Sequence, residues 1–236
     1  MNNQLVAIAK IYTEFSDKFG IPRQSGLVAD TIARVVFENE YQNSDYIKGI
    51  EEYSHLWLIW NFSKSNPHNV KPLVNPPRLG GNVKKGVFAT RSPFRPNPIG
   101  LSSVKLEQVI WDGENGPELV VSGADLLDGT PIYDIKPYLA YTDCHTDAIC
   151  SFADAHKDDS VKVDFDERLL MKLPGELRNT VTNLLAQDPR AAYNKRSDYV
   201  YGLRYMEYDI RFVVEDDLLK VVDVVDAQAD EYKNVK

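Results

Sequence analysis

Apolar and polar positions alternate with a period of two through much of the first 140 residues. Leu5–Tyr12 sets apolar residues against small or polar ones. Ala33–Phe37 and His55–Phe62 follow as short β-rich runs, the second apolar enough to predict burial on both faces. Gly86–Thr90, Leu101–Trp111, Glu118–Ser122 and Ile132–Leu139 continue the series of predicted strands. Between Ser44, read as an N-cap, and Glu52 the spacing predicts a short helix with Ile47 and Ile50 facing inward. Helical patterns of about a dozen residues do not separate the strands, which disfavours an alternating strand–helix dinucleotide-binding sheet. Many short strands divided by Pro and Gly turns predict an antiparallel or mixed β-barrel.

The pattern changes after Tyr141. His145–Ser160 is rich in Ala, Asp, Ser and His with little apolar periodicity, and reads as a linker. Beyond it Pro174 suits the first position of a helix. Leu177, Val181, Leu184 and Leu185 then form one apolar stripe. Tyr208, Ile210, Phe212 and Val214 alternate with Asp209 and Arg211 as a strand, and Leu218–Val225 reads as its hairpin partner across Glu215-Asp216-Asp217. The expected fold is therefore mostly β. A barrel domain occupies residues 1–143, a linker 144–160, and a small α+β domain 161–236, with no internal repeat.

At 236 residues and 26.8 kDa the chain is long enough to bury a large core without disulfides or metals. An apolar content of 43% and a charged content of 26% exclude fibrous and wholly disordered classes. Apolar runs such as Leu56–Trp60 are far short of the roughly 20 residues of a membrane helix. Met1-Asn2-Asn3-Gln4 carries no basic segment followed by a long apolar stretch. A soluble, cytoplasmic protein is expected. Cys144 and Cys150 form neither a CxxC nor a zinc pattern, and read as reduced thiols without a role. The histidines at 55, 68, 145 and 156 have no metal-ligand spacing, so no metal is expected; His55, in an apolar strand, reads as a core histidine.

Charge alters this picture. The net charge is −8, yet Tyr53–Leu106 holds no Asp or Glu and carries Lys64, Lys71, Arg78, Lys84, Lys85, Arg91, Arg95 and Lys105. A solvated face mixes both signs, whereas a field of one sign suggests an anionic ligand, phosphate being the leading candidate. The stretch Pro76-Pro77-Arg78-Leu79-Gly80-Gly81-Asn82 and the string from Gly86 to Ser102, with its prolines at 93, 96 and 98, hold part of that charge on a stiff backbone. Such a run reads either as a Pro-rich turn or as a ligand loop, because rigidity cuts the entropy lost on binding. Asp125-Leu126-Leu127-Asp128-Gly129-Thr130-Pro131 contains the Asp-Gly signal of a hairpin. That signal leaves Asp125, Asp134 and Lys136 unexplained among apolar strands. Gly20-Ile21-Pro22-Arg23-Gln24-Ser25-Gly26 is a polar turn, and Asp188-Pro189-Arg190-Ala191-Ala192-Tyr193 follows the C-terminal helix. No nucleophile–base pair is visible.

The run Pro76–Ser102, with Gly20–Leu27, Leu126–Leu139 and Asp188–Tyr193, resembles the TrmO family, also called TsaA or YaeB. The resemblance spans nearly the whole chain, and Arg-Ser-Pro-Phe-Arg-Pro-Asn-Pro-Ile-Gly-Leu-Ser is its most specific string. It departs from the family pattern at Ser63, Asn75 and Ala191. The resemblance implies a single β-barrel that binds S-adenosyl-L-methionine, and a homodimer that methylates N6 of threonylcarbamoyl-adenosine beside the tRNA anticodon. It also implies that Pro22, Arg23, Gln24, Ser63, Lys64, Arg91, Leu101, Leu127, Asp128, Gly129 and Thr130 contact the cofactor. Asp128 would hold the ribose hydroxyls or the amino group, and Arg91 the methionine carboxylate. The cationic stretch would hold the anticodon arm of tRNA, with no role for DNA or membrane. Arg95 or Arg190 would pair with the threonyl carboxylate, and Tyr193 would stack on the modified base. Two other readings of the residues stay open: a non-catalytic RNA-binding barrel, and a methyltransferase acting on a small nucleotide.

Overall fold

A computed structural model describes residues 5–227 except 66–68, 77, 78, 80, 81, 158, 191–195, 197 and 198. Strands β1 (Ala9–Tyr12), β2 (Ile32–Phe37), β3 (His55–Asn61), β6 (Ile99–Gly113), β7 (Gly116–Ser122) and β8 (Thr130–Pro137) close into a barrel in the order β1-β2-β7-β6-β3-β8. Every pair in it is antiparallel. Alternate residues of each strand point inward, so Ile11, Val35, Leu56, Leu58, Leu119, Val121 and Ile132 fill the interior, all fully buried. Closure leaves no sheet edge to protect.

Several local expectations are corrected by neighbouring geometry. β3 is not buried on both faces: Leu56, Leu58 and Trp60 point inward while Trp57 and Ile59 are half-buried outside. His55 is exposed, and its Nδ1 sits 2.9 Å from the Ser54 hydroxyl rather than in the core. Gly86–Thr90 is not a strand. A two-stranded ribbon pairs β4 (Leu73–Val74) with β5 (Lys85–Gly86), and Val87–Ala89 forms a 3-10 turn. Thr90 closes it, its N–H and hydroxyl both donating to the Val87 carbonyl at 3.1 and 2.9 Å. The helix expected after Ser44 is two 3-10 turns, Ser44–Ile47 and Ile50–Glu52, divided by Gly49 at φ +85°. Asn43, not Ser44, is the cap, its side chain accepting from the Asp45 N–H. Asp128-Gly129 makes a tight turn without a hairpin, because β7 pairs with β2 and β6 whereas β8 pairs with β1 and β3.

After α1 (Ala140–Asp143), the chain reaches β9 (Lys162–Asp164), α2 (Glu167–Leu170), α3 (Gly175–Ala186), β10 (Tyr201–Tyr205), β11 (Tyr208–Glu215) and β12 (Leu218–Asp226). The sheet order is β10-β11-β12-β9, with β9 parallel to β12. Pro174 stands one residue before α3, as its N-cap, with an extended ψ of 146°. Val181, Leu184 and Leu185 bury the helix stripe against Leu203, Ile210, Phe212 and Leu219, while Leu177 is partly buried. This second core also takes Phe15 and Val28 from the β1–β2 connection, 2% and 1% exposed, with Phe19 and Ile21 packed beside them. Gly20 lies close enough that a Cβ there would meet the Leu203 side chain at 1.9 Å, and its φ of +90° favours glycine as well. Among the described residues no helix is long and apolar enough to cross a membrane.

Candidate functional site

The end of β3 and the start of β6 run side by side, Trp60 opposite Gly100 and Asn61 opposite Ile99. Here a cleft of about 570 Å³ opens, walled by this strand pair, by the β1–β2 connection and by the Pro-rich loop before β6. Its size is that of a site for a nucleoside-sized ligand. Gly100 makes room for the inner wall, since a Cβ there would fall 2.2 Å from the Trp60 ring. Trp60 and Phe62, with ring centroids 4.3 Å apart, give that wall an aromatic surface.

The Pro-rich loop is pinned from three directions. The Lys71 N–H donates to the Phe94 carbonyl at 3.0 Å and the Phe62 N–H to the Pro98 carbonyl at 2.9 Å. Arg95 lines the cleft and staples its own loop, one guanidinium nitrogen donating to the Thr90 and Ser92 carbonyls at 3.2 and 3.3 Å. Arg91 donates to the Gln24 side-chain oxygen across the cleft, and Gln24 in turn donates to the Arg23 carbonyl. Arg23 reaches the other way: its Nη2 donates to the Asp188 carbonyl at 2.7 Å and to the Arg190 carbonyl at 3.4 Å. Arg91 and Arg95 are thus each held in the cleft by hydrogen bonds to neutral oxygens.

Of the expected cofactor residues, Pro22, Arg23, Gln24, Ser63, Lys64, Arg91, Leu101, Leu127 and Thr130 line this one cleft, joined by Arg95. Asp128 and Gly129, between Leu127 and Thr130, are not among its lining residues. The Asp128 carboxylate accepts from the Thr13 N–H at 3.0 Å, and the Gly129 N–H donates to the Ile11 carbonyl at 2.9 Å, so both fasten β1 to the turn. Arg190 lies elsewhere too, 8% exposed, with Nε and Nη2 bonded at 2.8 and 3.0 Å to the two Asp188 carboxylate oxygens. Tyr193 lies outside the described residues, as do Arg78 and Ala191.

Sequence reasoning missed two features. Trp60 sits in an apolar run whose period of two carries it onto the inner wall beside a glycine. Asp125 lines the cleft and was visible only as a polar residue among apolar strands. Its Oδ1 accepts the Ser102 hydroxyl proton at 2.5 Å, and the same hydroxyl accepts from the Trp60 indole N–H at 2.9 Å. Burial pushes the Asp125 pKa above the usual Asp range, against the Ser102 hydroxyl, backbone N–H groups and the Arg91 charge, which pull it down.

Residues 10–144 match the family model of the tRNA-methyltransferase O N-terminal domain, and residues 159–227 match that of the TrmO C-terminal domain. A tRNA (adenine(37)-N6)-methyltransferase of Escherichia coli K12 is 38% identical over 221 residues, covering 90% of this chain and 94% of that protein. A Pseudomonas aeruginosa protein named as an S-adenosylmethionine-dependent methyltransferase is 38% identical over 233 residues, 95% of this chain and 98% of its own. A crystal structure of TrmO from Pseudomonas aeruginosa matches with a TM-score of 0.75 at 33% identity, over 96% of this chain and 98% of that one.

Proposed function

The chain belongs to the tRNA-methyltransferase O family, and we propose that it methylates N6 of a threonylcarbamoyl-adenosine at position 37 of tRNA. The coarser activity, S-adenosylmethionine-dependent tRNA adenine-N6 methylation at that position, follows from its relatives over nearly the whole chain. The observation that carries the reading is the cleft beside β3 and β6, in which the pinned arginine loop faces an aromatic wall. In this proposal residues 1–143 form the cofactor domain, 144–160 a linker and 161–236 the domain that helps to hold the RNA. The working form is a cytoplasmic homodimer that receives the anticodon arm.

The cleft fits the cofactor in chemistry as well as volume. Arg91 would take the methionine carboxylate in a charge-assisted pair. Trp60 and Phe62 would offer a ring face to the adenine or the sulfonium charge. Pro22, Gln24, Leu101, Leu127 and Thr130 would close the sides. Bound there, S-adenosylmethionine supplies an already activated methyl group. The protein's remaining work is to align N6 behind that methyl and to exclude water. Arg95, on the same loop as Arg91, would meet the threonyl carboxylate, while Arg190 already satisfies Asp188 and would have to exchange partners.

Nucleoside mass spectrometry of tRNA from a deletion strain tests the proposal. Loss of methylated threonylcarbamoyl-adenosine, restored by this gene, is the expected result; an unchanged nucleoside profile overturns it. Binding of tRNA should weaken with salt despite the net charge of −8. Three to five phosphate contacts from the acid-free stretch give a log–log slope of roughly −2 to −4.

A further inference from the structure

N6 must shed a proton when it accepts a methyl group, and the cleft restricts what can take it. Among the described residues lining it there is no His, Cys, Tyr or Glu, and Asp125 is the single carboxylate. Its lysines and arginines carry positive charge at neutral pH and are poor acceptors. We propose that Asp125 is a catalytic residue of the methyl transfer, the general base that accepts the N6 proton. The inference rests on the N6-methyltransferase reading, and holds whether or not N6 carries a threonylcarbamoyl group.

The geometry suits that task. The Trp60 indole N–H donates to Ser102 Oγ at 2.9 Å, which leaves the Ser102 hydroxyl proton to point at Asp125 Oδ1, 2.5 Å away. Trp60 is itself held under Gly100 and beside Phe62. The carboxylate is therefore oriented through Oδ1, and Oδ2 is the oxygen that the Ser102 hydroxyl does not occupy. The groups facing it are the Ser102 hydroxyl from β6, its own backbone N–H, a Ser25 backbone group from the β1–β2 connection, and the Arg91 guanidinium from the Pro-rich loop. These groups favour the charged form against the burial that opposes it, and burial has the larger effect, so the basicity of the carboxylate is raised. A base of this modest strength suffices. As the N6–C bond forms, the sulfur–methyl bond breaks and its electron pair stays on sulfur. Positive charge then develops on N6, its N–H becomes strongly acidic, and the proton passes to Asp125 Oδ2 while the N–H electron pair remains on nitrogen.

The rival role for a cleft carboxylate is to hold the cofactor's ammonium group, and the test separates the two. Wild type, Asp125→Asn and Ser102→Ala are compared for thermal midpoint, calorimetric S-adenosylmethionine affinity, and kcat against pH at saturating cofactor on tRNA. Asp125→Asn should keep the affinity within about threefold, the arm that does not depend on turnover. Its kcat should fall roughly 10²- to 10⁴-fold, the usual contribution of a general base. Wild-type kcat should decline on the acid side as Asp125 protonates, and Ser102→Ala should move that decline to higher pH because a donor favouring the carboxylate is gone. An Asn variant whose kcat stays within threefold overturns the proposal, as does one whose defect is a weakened cofactor affinity repaired by saturation. If the Asn variant does not fold, the Ser102→Ala profile decides, and an unmoved acid limb overturns the proposal. A wild-type protein that transfers no methyl group to tRNA overturns the functional reading itself, and this inference with it.

Discussion

Gly100→Ala is the most direct probe of how the cleft wall is built. An ideal Cβ at this position lies 2.2, 2.4 and 2.6 Å from three atoms of the Trp60 ring, where ordinary contact begins near 3.4 Å. The ring must therefore retreat by more than an ångström. It has little freedom to do so, being 7% exposed, bonded through its N–H to Ser102 and packed on Phe62. Overpacking of this kind costs about 1–3 kcal/mol, and a lost indole hydrogen bond adds roughly 0.5–1.5 kcal/mol. A total of about 1.5–4.5 kcal/mol corresponds to a fall in Tm of roughly 3–18 °C for a chain of this length. Because the displaced ring forms the cleft wall, S-adenosylmethionine affinity should fall with it, by about tenfold for each 1.4 kcal/mol lost at the site. Differential scanning calorimetry reads the first quantity and titration calorimetry the second. Gly86→Ala is the control, since nothing lies within 4 Å of a Cβ there and its φ of −57° suits alanine. If the two variants match the wild type equally in Tm and affinity, Trp60 is not held as described and the account of the wall fails.

Three further outcomes are expected. Arg91→Ala should weaken S-adenosylmethionine binding by about 1.5–3 kcal/mol, the range for hydrogen bonds to charged groups, whereas Asp128→Ala should act mainly on Tm because its carboxylate holds the Thr13 N–H; titration calorimetry of both variants checks the contrast. Arg190→Ala, which leaves Asp188 without its two-pronged partner, should cost about 1.5–3 kcal/mol of stability, and methyl transfer that collapses at unchanged Tm would place Arg190 on the substrate instead. Tyr205 is 3% exposed and its pKa is pushed up to about 12 from 10, chiefly by burial and then by the charges of Glu14 and Asp30. The folded state therefore keeps a proton that the unfolded state gives up, so stability is lost as pH rises from about 10 to about 12; alkaline denaturation of Tyr205→Phe should lack that loss, and an identical alkaline profile would refute it.

The barrel was legible because its strands carry a period of two and its turns carry Pro and Gly. The helix stripe Val181, Leu184 and Leu185 was legible for the corresponding reason at a period near four. What misled was local chemistry overruled by neighbours. His55 belongs to an apolar run but falls at the strand's exposed end, where the ring meets Ser54 and water rather than core. Gly86–Thr90 alternates like a strand, yet Thr90 folds back onto the Val87 carbonyl. At the site, the cationic loop announced itself through charge and proline. The choice between Asp125 and Asp128 did not. Asp128 forms the turn with Gly129 and Asp125 stands three residues before it; the Asp128 carboxylate meets the Thr13 N–H just after β1, while Asp125 lines the cleft. The second core drew on Phe15 and Val28 across more than a hundred residues of intervening chain, a contact no short-range periodicity encodes.

The β1–β2 connection has two faces with different owners. Phe15, Phe19, Ile21 and Val28 are packed into the C-terminal core, while Pro22, Arg23 and Gln24, in the same short stretch, wall the cleft. The segment therefore behaves as a lever between the two halves of the chain. Loosening the C-terminal core should free one end of it and withdraw a wall from the cleft, and a ligand seated in the cleft should in turn steady that core. In hydrogen-exchange terms the amides of Gly20, Ile21, Arg23 and Gln24 should open with the C-terminal sheet rather than with the barrel strands that flank them in sequence, and a ligand in the cleft should slow exchange in β10 and β11.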